Sequence, residues 1–146
     1  MGARQSLADT GFRTMNQIHR AVLRLSGGRL LGRPFGMPAV ELHTVGRRSG
    51  RPRVTMLTAP VVEGERVVLV ASKGGDDRDP DWFKNLVANP EVELRLEGRT
   101  RQVRARRATP EEKETLWPRV VAAYKGYRGY QERTGRDIPL VICEPR

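Results

Sequence analysis

The stretch Glu91-Val-Glu-Leu-Arg-Leu-Glu-Gly-Arg-Thr-Arg-Gln-Val-Arg-Ala-Arg-Arg107 reads as two strands and the turn between them. Val92, Leu94 and Leu96 alternate with Glu91, Glu93 and Arg95, the period of a strand with one buried face. Glu97-Gly98 is a two-residue hairpin turn, so Arg99–Arg107 must return antiparallel. Two residues cannot carry the crossover that parallel strands need.

Upstream the same period continues. Ala39–Val45 reads as a strand and Gly46–Pro52 as a Gly- and Arg-rich turn. Arg53–Val62 reads as a second strand, with Pro60 implying an edge or a bulge. Glu63-Gly64 turns the chain into Arg66–Ala71, and a loop at Ser72–Asp79 follows. A short helix then has Asp79 as its cap and Pro80 at its first position, and Asn89-Pro90 ends it.

Downstream, Thr109-Pro-Glu-Glu112 has the form of a capping box with proline, which predicts a helix to about Tyr124. A polar segment with three tyrosines leads to a last strand, Ile138–Cys143. About six strands, mostly hairpin-linked, make an α+β fold, mainly β: a small antiparallel barrel with short flanking helices. A parallel Rossmann sheet fits this pattern poorly.

Nothing divides the 146 residues by repeat or linker, and that length supports one domain with its own core. Residues 36–146 form that core, and residues 1–35 a helix and its connection. Phe12, Met15, Ile18, Val22 and Leu25 recur every three or four residues, with Arg13, Arg20 and Arg24 off the stripe. Such a helix packs on its own domain or lies on an anionic membrane surface, and periodicity does not separate these.

No apolar run approaches the roughly 18 residues of a membrane span. The N-terminus lacks a signal peptide's apolar stretch, and a single cysteine, Cys143, excludes a disulfide framework and fits a reducing cytosol. His19 and His43 are too few for a metal site, and Asp76, Asp77, Asp79 and Asp81 lack the EF-hand ligand order. No metal is expected.

The charge is lopsided. The chain carries a formal +10, yet residues 1–58 hold ten arginines against only Asp9 and Glu41. That half should attract an anion, whether nucleic acid, an anionic membrane or a phosphorylated ligand. Gly46-Arg-Arg-Ser-Gly-Arg-Pro-Arg53 concentrates four of those arginines, where guanidinium forks suit phosphate and carboxylate oxygens. It reads equally as a solvated hairpin tip. Ser72-Lys-Gly-Gly75, directly after an apolar strand, is a second anion cradle. Tyr124, Tyr127 and Tyr130 fall at spacing three, one face of a helix, as packing or as a pocket wall.

These segments, in this order, resemble the deazaflavin-dependent nitroreductase family, whose members use coenzyme F420. The matching stretches are Gly46–Arg53, Val70–Gly75, Pro80–Leu86 with Asn89-Pro90, and Tyr127–Pro145. The resemblance implies a split β-barrel related to the flavin mononucleotide-binding and pyridoxamine-oxidase-like barrels. It implies hydride transfer from the reduced deazaflavin to an electron-poor acceptor: a quinone, a nitroaromatic or a conjugated lactone. Family contacts to the phosphate and tail fall on Arg47, Arg48, Ser49, Arg53 and Lys73-Gly74-Gly75, with Gly50 in the same turn. Those on the ring side fall near Met56, Leu57, Ser72 and Trp82, and Tyr127, Tyr130 and Ser72 match positions beside the acceptor. Arg48 stands where many members have lysine, which keeps the charge but replaces a point with a fork.

Rival readings share these arginines. An FMN- or heme-binding barrel of the same architecture is one. A nucleic-acid-binding barrel is the other, but it should interleave aromatics with basic residues on its strands, and here the strands have almost none. The expected partner is a small-molecule acceptor, met by a cytoplasmic monomer or homodimer, with peripheral contact to the inner face of the membrane where the N-terminal helix binds it.

Overall fold

Residues 34–146 are described by the computed structural model; the expected N-terminal helix lies outside them. Seven strands form one sheet: β1 (Ala39–Val45), β2 (Pro52–Thr58), β3 (Val61–Glu63), β4 (Arg66–Val70), β5 (Glu91–Leu96), β6 (Arg99–Arg107) and β7 (Leu140–Pro145). Their order is β2-β1-β5-β6-β7-β4-β3, and every pairing is antiparallel. The hairpin that anchored the reading is present, with Leu96 opposite Arg99 and both Glu97 and Gly98 left-handed.

The order dictates curvature. β2 and β3 are the two edges, yet only Ala59 and Pro60 join them. Six strand spacings would separate the edges of a flat sheet by roughly 29 Å. Thr58 and Val61 are three peptide steps apart, a reach of about 11 Å. The sheet must therefore curl until its edges meet at one corner, which gives a split barrel. Here the expected strand Arg53–Val62 is corrected to two. The amide of Ala59 leaves β2 to donate to the Pro38 carbonyl (3.0 Å), and Pro60 has no N–H with which to continue a ladder.

Two apolar clusters lie on the two faces of the curled sheet. Inside, Val40, Leu42, Leu69, Leu94 and Val103 pack with Trp82, Phe83 and Leu86 of helix α1 (Asp81–Ala88). Outside, Val61, Val68, Leu140 and Ile142 are covered by α2 (Pro110–Ala123) and α3 (Gly126–Arg133) through Leu116, Val120 and Tyr127. The α2 capping box forms as the sequence implies. Glu112 N–H donates to Thr109 Oγ1 (3.2 Å), and Thr109 N–H donates to Glu112 Oε1 (2.9 Å).

Three further boundaries move for visible reasons. The α1 cap is Pro80, because the Asp79 carboxylate is taken by Arg136 (2.8 Å). The polar tyrosine segment is helical over Gly126–Arg133, a state its two glycines conceal in a propensity reading. The last strand is Leu140–Pro145, because the Ile138 amide turns aside to Gln131 Oε1 (3.0 Å).

Candidate functional site

The 46–53 turn closes on itself. Gly46 N–H donates to the Arg51 carbonyl (2.8 Å), Gly50 N–H to the Gly46 carbonyl (2.9 Å), and Arg51 N–H to Ser49 Oγ (3.2 Å). Of the arginines here, Arg47 is spoken for. Its backbone N–H and Nη1 both donate to Asn85 Oδ1 (3.1 and 2.9 Å), and Nη2 reaches Asp81 Oδ1 (3.3 Å). Arg47 thus latches the turn to α1. Arg48 and Arg53 are exposed and make no hydrogen bond or ion pair among the described residues. Opposite Arg53 across the ladder sits Thr44, 4% exposed, whose Oγ1 has no hydrogen-bond partner.

The second cradle has left-handed backbone over three consecutive residues: Lys73 (φ 45), Gly74 (φ 64) and Gly75 (φ 83). Ser72 before them is right-handed (φ −80, ψ −37), so Ser72-Lys73 has the alternation that lets successive amides converge on one anion. The Ser72 and Gly74 amides and the Ser72 hydroxyl have no partner among the described residues. Gly75 is fixed by space as well as by φ: a Cβ there would lie 2.8 Å from the Tyr130 carbonyl oxygen. Helix α3 therefore touches this turn.

That contact brings the tyrosines to the cradle. Rings of Tyr124 and Tyr127 meet edge to face (5.2 Å, 88°), as do those of Tyr127 and Tyr130 (6.0 Å, 80°). Phe35, 73% exposed, lies against Tyr124 (4.9 Å). The Tyr124 and Tyr130 hydroxyls are 3.4 Å apart; that bond, with burial behind it, pushes the Tyr130 pKa up to about 12. Tyr127 is buried, its hydroxyl 3.1 Å from Thr58 Oγ1 and 3.8 Å from Met37 Sδ, and burial raises its pKa. Both phenols are protonated at neutral pH.

The ring-side expectations divide. Leu57 and Trp82 share the interior cluster, and Trp82 sits edge-on to Phe83 (6.4 Å, 88°). Met56, one residue before Leu57, is buried on the opposite face of β2. Ser72, Gly75 and Tyr130 are brought together. Arg48, Ser49, Gly50 and Arg53 lie on the other cradle. The segment Asp79–Asn85 links the two, because Asp81 and Asn85 hold Arg47 while Asp79 holds Arg136.

Asn85 and Arg136 escaped the sequence reading. Both act across dozens of residues, where neither spacing nor periodicity carries a signal. No group of His, Cys, Asp or Glu among the described residues could hold a metal ion.

A curled antiparallel sheet with an arginine turn and an amide-lined loop at one rim defines a split-barrel protein. Residues 14–145 match the model of the F420H(2)-dependent quinone reductases, and the chain belongs to that family. It is 38% identical over 134 residues to an F420H(2)-dependent quinone reductase of Mycobacterium tuberculosis H37Rv, covering 89% of each chain. It also resembles the solved structure of an F420-H2 dependent reductase, at 39% identity and TM-score 0.67, over 73% of this chain and 94% of that one. A second structure, described as a domain-swapped dimer, is 33% identical with TM-score 0.70, over 98% of this chain and 100% of the other.

Proposed function

We propose that the protein is an F420H2-dependent reductase of quinone-type acceptors, and that the two cradles divide the work of holding the cofactor. The observation that carries this reading is the Ser72 amide and hydroxyl, without partners among the described residues and set on a turn that packs against the tyrosine cluster. The residues fit the cofactor. It has a phosphodiester and a glutamate tail, and among the described residues Arg48 and Arg53 are exposed cations without partners, with Arg53 opposite the unbonded Thr44 hydroxyl. When bound, coenzyme F420 supplies a two-electron hydride donor with little one-electron oxygen chemistry, so the protein needs only to position and shield it.

Arg48 and Arg53 bind the anionic tail, with Ser49 and Gly50 shaping the turn and Arg47 anchoring it. The Ser72 and Gly74 amides and Lys73 hold the cofactor's polar groups, and Leu57 and Trp82 exclude water on the ring side, whereas Met56 lies on the opposite face of β2. Tyr127 supplies a pocket wall, because its ring is buried and its hydroxyl sits between Thr58 Oγ1 and Met37 Sδ. Tyr130 and Ser72 stand beside the acceptor, where their O–H groups meet the negative charge that develops on an acceptor oxygen as hydride arrives. A homodimer is the assembly we favour, on the full-length likeness to a chain solved as a domain-swapped dimer.

The test is a titration of the purified protein with F420, FMN and an oligonucleotide at two salt concentrations. F420 should bind at least about ten-fold tighter than FMN, roughly 1.4 kcal/mol, because only F420 carries the glutamate tail. Equal affinity for the two would remove the role given to Arg48 and Arg53, and tighter binding of the oligonucleotide would replace the reading outright.

A further inference from the structure

Four acceptors of the loop between β4 and α1 converge on one side chain from far along the sequence. Arg136 Nη2 donates to the carbonyls of Ala71 (3.1 Å) and Ser72 (2.9 Å). Nε donates to the Asp76 carbonyl (2.8 Å), and Nη1 to Asp79 Oδ1 (2.8 Å). The guanidinium side chain is only 15% exposed, so the ion pair with Asp79 is poorly screened. Its own backbone is held in place first: Gln131 Nε2 donates to the Arg136 carbonyl (2.7 Å), and Arg136 N–H donates to Thr134 Oγ1 (3.3 Å). Thr134 Oγ1 also donates to Asp77 Oδ1 (2.8 Å), a second tie between the same two segments.

Peptide planarity turns this clamp into an aiming device. In a trans peptide the N–H points opposite to the C=O before it. With the Ala71 and Ser72 carbonyls drawn onto Arg136, the Ser72 and Lys73 N–H groups are both driven to the far side. There the right-handed Ser72 and left-handed Lys73 make them converge. The Ser72 carbonyl also accepts from Gly75 N–H (2.9 Å), which closes the turn.

We propose that Arg136 is a positioning residue of the reductase: it does not touch cofactor or acceptor, but sets the Ser72 and Gly74 amides that do. This rests on the function proposed above. Lysine could not replace it, since a point charge cannot address four acceptors spread around a planar fork.

The test combines amide exchange of the cofactor-free protein with F420 titration. Arg136→Ala should speed exchange at Gly75 and Asp76, whose amides bond the Ser72 and Lys73 carbonyls, and leave Val68 and Leu69 in β4 at parent rates. F420 should bind about ten-fold more weakly. Millimolar guanidinium chloride should restore both properties, and sodium chloride at equal concentration should not. Arg136→Lys should fail to restore them.

Parent exchange at Gly75 and Asp76, parent affinity despite faster exchange, equal acceleration in β4, or indifference to guanidinium would each overturn the proposal. If Arg136→Ala does not fold, Asp79→Ala decides, because it removes one arm only. It must move the same two amides and weaken F420 binding roughly three-fold, and no shift overturns the proposal. A parent protein that fails to bind F420 overturns the functional reading and the cradle with it. The exchange arm, which needs no cofactor, would then still report whether Arg136 holds the loop.

Discussion

The two anion cradles are built on opposite plans. The loop of residues 71–79 is cross-tied by one largely buried guanidinium, which takes the Ala71, Ser72 and Asp76 carbonyls and the Asp79 carboxylate and leaves the Ser72 and Gly74 amides without a partner among the described residues. The turn of residues 46–53 is tied by local bonds and a single latch through Arg47, and it leaves three exposed arginines, Arg48, Arg51 and Arg53, whose side chains have no partner among the described residues. In the proposed binding mode, one recognises by shape and the other by charge. A rigid amide cradle in low dielectric keeps its strength as salt rises, whereas exposed arginines lose theirs within a Debye length. A cofactor with a compact ring at one end and a flexible polyanion at the other suits that division.

The hardest blow to the comparison falls on the rigid cradle. Gly75→Ala would set a Cβ 2.8 Å from the Tyr130 carbonyl oxygen at φ 83, and should cost about 2 kcal/mol of stability. Thermal unfolding would show it, together with lost F420 binding. If Gly75→Ala were as stable as the parent, the loop would be compliant and the contrast with the 46–53 turn would collapse.

On the flexible cradle the effect should be smaller and of another kind. Arg48→Ala and Arg53→Ala should each weaken F420 binding about ten-fold at low salt, roughly 1.4 kcal/mol, without lowering the melting temperature. The gap should narrow as salt increases. A salt-independent loss would mean that these arginines work by shape after all.

The tyrosines sharpen the comparison where the rigid cradle meets the acceptor. Tyr127→Phe leaves Thr58 Oγ1 without its phenol and should cost about 1 kcal/mol of stability with turnover near that of the parent. Tyr130→Phe should instead lower quinone turnover roughly five-fold at unchanged cofactor affinity. The opposite pattern would exchange the two roles.

The smallest effect lies outside both cradles and serves as a control. Arg106, hydrogen-bonded through both amino groups, and the Thr109 amide hold the Glu112 pKa down to about 2. A carboxyl lowered on folding stabilises the protein above its unfolded pKa and loses that contribution as pH falls towards about 2. Glu112→Gln should cost about 0.5 kcal/mol at neutral pH and flatten the acid limb of the stability curve, with F420 binding unaltered.

The sequence by itself determined most of the fold and marked the residues of both proposed cradles. Strict alternation at Glu91–Leu96, the Glu97-Gly98 turn and the Thr109–Glu112 box are local devices whose signals lie within a few residues, and they appear where expected. Arg47, Arg48, Ser49, Gly50 and Arg53 were legible as a basic turn, and Ser72–Gly75 as a cradle, because residue type alone sets their charge and backbone freedom. What residue type cannot say is which of several like groups is already spent. That, among the described residues, Arg47 is a latch while the Arg53 side chain has no partner, and Tyr127 is engaged while the Ser72 hydroxyl is not, follows from contacts between distant segments. Arg136 is the extreme case, one of many arginines in the chain until the curl of the sheet carries the end of α3 onto the loop after β4. A hydrogen bond depends on geometry to within a few tenths of an ångström. Only the closed tertiary structure fixes distances that finely between residues some sixty positions apart.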